Sequence, residues 1–75
     1  MTKVLMLLVT DTDERIVGFR TGDTYTIHHY VSHEDEKLHE GIETEEAMVH
    51  LFHNLEQWVD GTVLLRQVNT GEMGK

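Results

Sequence analysis

Glu34-Asp35-Glu36-Lys37-Leu38-His39-Glu40-Gly41-Ile42-Glu43-Thr44-Glu45-Glu46 is the stretch on which the reading of this chain turns. Seven carboxylates stand against one lysine, a formal charge of −6 out of −8 for all 75 residues. Residues 32–43 are too polar to supply core, and they read as an exposed acidic loop with one helical turn near Lys37-Leu38. The loop ends at Thr44, a good N-cap. Glu45 and Glu46 follow in a first turn, where the positive end of the helix dipole favours them.

From Thr44 the chain reads as a helix to Asp60. Met48, Leu51, Phe52, Leu55, Trp58 and Val59 recur at helical spacing and form one apolar face. Gly61 is placed to cap the helix. Thr62 to Val68 reads as a strand, and residues 69–75 as a flexible C-terminal tail.

Three strands are expected before the acidic stretch. In residues 3–10, Leu5, Leu7 and Val9 point one way and Val4, Met6 and Leu8 the other. Both faces are apolar, which suits a central strand covered on both sides. Residues 16–20 form a short second strand, and Thr21-Gly22-Asp23 a turn in which Gly22 takes a positive φ without steric cost. Residues 24–31 alternate, with Tyr25, Ile27, His29 and Val31 on one face and Thr24, Thr26, His28 and Tyr30 on the wetter one.

The expected fold class is therefore α+β in two layers. An antiparallel three-strand meander is followed by one helix and a fourth strand (βββαβ), with the helix packed on one face of the sheet. The fourth strand is placed parallel beside the first. Residues 1–68 make a single small domain. One helix covers only one face, which leaves some of Val4, Met6, Leu8, Ile16 and Leu64 without cover. A homodimer through this uncovered sheet face is the expected consequence.

Composition narrows the functional classes. The chain has no Cys, so disulfides are excluded and a reducing compartment fits. The apolar run Val4–Val9 is too short to span a membrane, and a cytoplasmic location is expected. Six basic residues (Lys3, Arg15, Arg20, Lys37, Arg66, Lys75) are scattered among 14 acidic ones. This disfavours direct binding to nucleic acid or to an anionic membrane, and favours a basic protein partner. There is no phosphate-binding loop, and Ser32 is the only serine. Nucleophilic catalysis has no constellation to work with, so the chain does not read as an enzyme.

Two binding readings remain. In the first, the acidic stretch docks on a basic protein. Glu34, Asp35, Glu36, Glu40, Glu43, Glu45 and Glu46 supply charge, and Tyr30 and Leu38 supply apolar anchors. By blocking a nucleic-acid-binding protein, such a surface would mimic nucleic-acid charge. In size, acidity and lack of catalytic groups the chain resembles, in type, the small inhibitors and host-takeover proteins of phages and plasmids. Its element order is similar to that of small antitoxin-like α+β domains.

The second reading rests on six histidines, a high number for this length. His50 and His53 lie three apart on the helix, and His33 and His39 could complete a tetrahedral zinc set in a small homodimeric domain. The same six residues offer a pH response, since their protonation takes the formal charge from −8 toward −2.

Overall fold

A computed structural model describes residues 2–69. The elements run β1 (Thr2–Thr10), β2 (Arg15–Thr21), β3 (Thr24–Ser32), β4 (Asp35–Ile42), α1 (Glu45–Glu56) and β5 (Val63–Val68). The five strands form one sheet in the order β4-β3-β2-β1-β5, antiparallel throughout. The α+β class stands, with one strand more than expected.

The extra strand is β4, in the stretch that reads as a loop. Its backbone pairs with β3 from Tyr25↔Ile42 to Ser32↔Asp35. Intrinsic preference disfavours Glu, Asp and Lys in strands, but pairing to a well-formed neighbour overrides it. The charged side chains are tolerated because β4 is an edge strand, exposed along most of its length. The strand after the helix, β5, lies beside β1 as expected but antiparallel to it. The four-strand meander delivers the chain to the far edge with β4 running opposite to β1, and α1 then returns it along β4's reverse direction. β5 therefore enters the sheet pointing the same way as β4.

The helix starts as the sequence indicates. Thr44 Oγ1 accepts from the Ala47 N–H at 3.1 Å, and Glu45 and Glu46 occupy the first turn. It stops at Glu56, a turn earlier than Asp60, with Gln57 as its C-cap. Gly61, at φ +86°, belongs to the connection into β5 and is not the cap. Met48 and Phe52 are fully buried, and Leu51, Leu55 and Val59 pack against the core at its margin. Trp58 falls beyond the helix and is 78% exposed.

The core consists of Leu5, Met6, Leu8, Ile16, Ile27, Met48 and Phe52. Gly18 lets the helix come close: a Cβ built there lies 3.2 Å from Met48 Sδ. A register shift between Val4 and Met6 changes which residues of β1 face the helix. The bulge tucks the adjacent Leu5 and Met6 into the core together. Met6, Leu8 and Ile16, which the alternation alone put in the uncovered set, thus lie under the helix. The open face carries Val4, Leu7, Val9, Val17 and Phe19, with Thr26, His28, Tyr30, Leu38 and Leu65 continuing it across the sheet.

A buried polar clip ties the ends of the fold together. Glu14 is buried and His29 largely so, and His29 Nε2–H donates to Glu14 Oε2 at 2.7 Å. Glu14 Oε1 accepts from the Asp60 N–H at 3.3 Å. Next to it, Asp11 Oδ1 accepts from the Thr62 N–H, and the Asp11 N–H donates to Thr62 O, both at 2.9 Å. The β1–β2 turn therefore holds the α1–β5 connection.

Candidate interaction surface

The acidic residues gather along one border of the domain. β4 forms the sheet edge, and its end runs through Glu43 directly into the capped helix. Glu34 lies in the β3–β4 turn, Asp35 opposite Ser32, and Glu36 opposite Tyr30. Glu34, Asp35, Glu36, Glu40, Glu43 and Glu46 are all exposed. Glu45 is half-buried, and its Oε2 is enclosed without a hydrogen-bond partner among the described residues. Six of the seven carboxylates thus face water on a single border instead of being dispersed over a loop.

Strand geometry splits this border between two faces. Glu36 and Leu38 pair with Tyr30 and His28, so these four side chains share the open face. Lys37 and His39 lie on the helix side, opposite His29 and Ile27. Leu38 is 54% exposed and stands beside the carboxylates. Tyr30 is half-buried: the Arg15 guanidinium lies 4.5 Å above its ring and His33 meets it edge-on. Of the two expected anchors, Leu38 is the more open. Glu36 is also engaged, because His28 Nε2–H donates to its Oε1 at 2.7 Å.

The four histidines of the expected zinc set are spread out. His33 occupies the β3–β4 turn, His39 lies within β4, and His50 and His53 are exposed on α1. His53 Nδ1–H is bonded to Glu56 Oε1, and His39 Nε2 is enclosed without a partner among the described residues. Among the described residues no three His, Asp, Glu or Cys side chains are grouped so as to hold a metal ion.

At the other border Arg66 makes a forked contact with Glu56, Nε to Oε2 at 3.0 Å and Nη2 to Oε1 at 3.2 Å. The Arg66 hydrogen bond, helped by that of His53, holds the Glu56 carboxyl below its ordinary range despite the opposing effect of burial. The same hydrogen bond raises the Arg66 guanidinium further above its ordinary value.

The chain matches no protein-family model, no curated protein and no solved structure. Among the described residues no pocket is formed, and no helix is long and apolar enough to cross a membrane.

Sequence reasoning passed over Glu14 and His29. The signal was present: His29 alternates with the core residue Ile27, and an imidazole on an apolar face needs a polar partner. Glu14, placed only in a turn by its neighbours, is that partner.

Proposed function

We propose that this protein acts by stoichiometric binding, with its acidic border docked on a basic protein. The observation that carries the reading is β4 itself. A charged edge strand runs into an acidic helix start, so the carboxylates are presented from ordered backbone. Less conformational entropy is lost on docking than with a free loop. Opposite charge on the partner speeds encounter and fixes orientation. Leu38 supplies an apolar contact within the charged rim.

Charge density limits how far this surface resembles nucleic acid. Residues 34–43 carry five carboxylates over roughly 33 Å of extended chain, about one per 7 Å. A duplex carries one charge per roughly 1.7 Å. The border is about four times sparser, which suits a local basic patch better than a whole nucleic-acid channel. A basic nucleic-acid-binding protein remains the finer form of the proposal, and competition with nucleic acid is its test.

The experiment is capture of partners from lysate on immobilised protein at ~0.1 M and ~1 M salt, where screening lengths are about 10 and 3 Å. The wild type is compared with a variant carrying Glu34→Gln, Asp35→Asn, Glu36→Gln, Glu40→Gln and Glu43→Gln. The expected result is a basic protein held at low salt, released at high salt and absent from the variant, whose fold by circular dichroism is unchanged. A partner held equally by both proteins at both salts would place the interface elsewhere.

A further inference from the structure

The two edges of the sheet differ in a way that the acidic-border reading leaves unused. β4 is guarded by charge along its length. β5 reads Val63-Leu64-Leu65-Arg66-Gln67-Val68, with no acidic residue, Pro or Gly, and every residue is exposed. Leu64 is 66% exposed. The one charge, Arg66, is engaged by Glu56 on the helix side. Charges and prolines are the usual means by which an edge avoids pairing with another strand, and β5 has almost none of them.

The unpaired groups of β5 can be named. The Asn69 N–H donates to Leu5 O at 2.7 Å, so Asn69 faces β1. Alternation then turns Gln67 and Leu65 toward β1 and turns Arg66 and Val68 outward. The N–H and C=O of Arg66 and Val68 point away from the sheet, where it has no further strand among the described residues.

We infer that β5 pairs with β5 of a second copy of this chain, antiparallel about a two-fold axis perpendicular to the sheet, to give one continuous sheet. With the axis at Gln67, Arg66 of one copy opposes Val68 of the other and the outward backbone groups satisfy each other. The two guanidiniums are not directly opposed, and the two Gln67 amides meet on the open face. The charge distribution selects a second copy as the occupant. A chain of net charge −8 repels itself wherever its acidic border approaches, and β5 is the edge farthest from that border. Four strand spacings, about 19 Å, separate β5 from β4 in one copy, and nine spacings, about 43 Å, separate the two β4 edges in the pair. Both distances exceed the roughly 8–10 Å over which charges act at physiological salt. A basic partner is drawn to β4 instead. The contact is isologous and closes at two copies, and it leaves both acidic borders free.

The test is sedimentation of the full chain from micromolar to millimolar concentration, with amide hydrogen exchange at each end of the range. The expected mass doubles from 8.7 kDa with concentration, and exchange at Arg66 and Val68 slows as it does. Val68→Pro removes one outward N–H and no bond to β1, and it is expected to stay monomeric with an unchanged far-ultraviolet spectrum. If that variant fails to fold, the exchange of Arg66 and Val68 in the wild type still decides. A single 8.7 kDa species at every concentration would overturn the inference. So would exchange at these two amides that ignores concentration, or a dimer that survives Val68→Pro and so uses another surface. A chain that dimerises only after removal of residues 70–75 would assign the edge to its own terminus, and would also overturn it.

Discussion

Replacing Gly61 by alanine separates two costs that the fold imposes on one residue. Gly61 sits at φ +86°, and an added Cβ would lie 2.5 Å from Asp11 Oδ1 and 2.9 Å from Thr12 Cγ2. Gly22 is the matched control, with φ +62° and nothing within 4 Å of its Cβ position. Holding alanine in the left-handed region costs about 1–2 kcal/mol. The stiffer unfolded chain offsets roughly 0.4–1 kcal/mol of that. Gly22→Ala should therefore lose about 0–1.6 kcal/mol. Gly61→Ala bears the same net strain and must also displace Asp11 Oδ1, which accepts the Thr62 N–H at 2.9 Å. Losing that bond adds about 0.5–1.5 kcal/mol, for a total of roughly 0.5–3 kcal/mol. A 75-residue domain has about 4–11 kcal/mol in all, so this loss is large. Urea unfolding reads it as a lower midpoint at constant m-value, and melting falls by about 4–8 °C per kcal/mol. Asp11→Ala removes the obstructing oxygen, so in that background the cost of Gly61→Ala should shrink toward that of Gly22→Ala. Equal losses for Gly61→Ala and Gly22→Ala in the wild-type background would refute the steric argument.

Phe52→Ala should lose about 3–5 kcal/mol, a large share of the total of about 4–11 kcal/mol, which urea unfolding followed by circular dichroism would show as a much lower midpoint. Glu14→Ala removes the acceptor of the partly buried His29 ring N–H and of the Asp60 N–H and should cost about 1–3 kcal/mol by urea unfolding. Arg66→Gln removes the fork to Glu56, a partly exposed pair worth about 0.5–1 kcal/mol. Because Glu56 has a lowered value in the folded protein, its stabilisation is complete above the unfolded carboxyl range, near pH 4.3. It disappears as pH falls through the folded value. Arg66→Gln should therefore weaken the acid-side slope of stability against pH, which a series of melting curves would show.

How much of this could be read from the chain varies by element. The helix was legible because Thr44, Glu45 and the Met48–Phe52 spacing all point the same way, and local and tertiary demands agree there. β3 was legible for the same reason. β4 was not, because its residue types contradict its conformation, and only the ladder to β3 makes it a strand. The two faces of β1 were misassigned because a bulge at Leu5 breaks the alternation, and a bulge in an unbroken apolar run leaves no mark in the sequence. The direction of β5 depended on the strand count and failed with it. In the candidate surface, the charges were legible as composition. Their collection on one border, the enclosure of Glu45 and the covering of Tyr30 by Arg15 were not, since each depends on residues far apart in sequence.

The sheet order also sets a timetable. β1 through β4 join only sequence neighbours, so that meander closes through short loops and should form early. The β1–β5 ladder joins Met6 to Val68 and must wait for nearly the whole chain. Until it forms, β1, with Leu5, Met6, Leu7, Leu8 and Val9, presents the most apolar backbone edge in the molecule to its surroundings. During synthesis, at some 5–20 residues per second, the stretch from Ile42 to Val68 keeps that edge open for about 1–5 s. The carboxylates of β4 lie three strand spacings away, about 14 Å, beyond the roughly 8–10 Å over which charge acts at physiological salt, so it is the arrival of β5 that closes the edge.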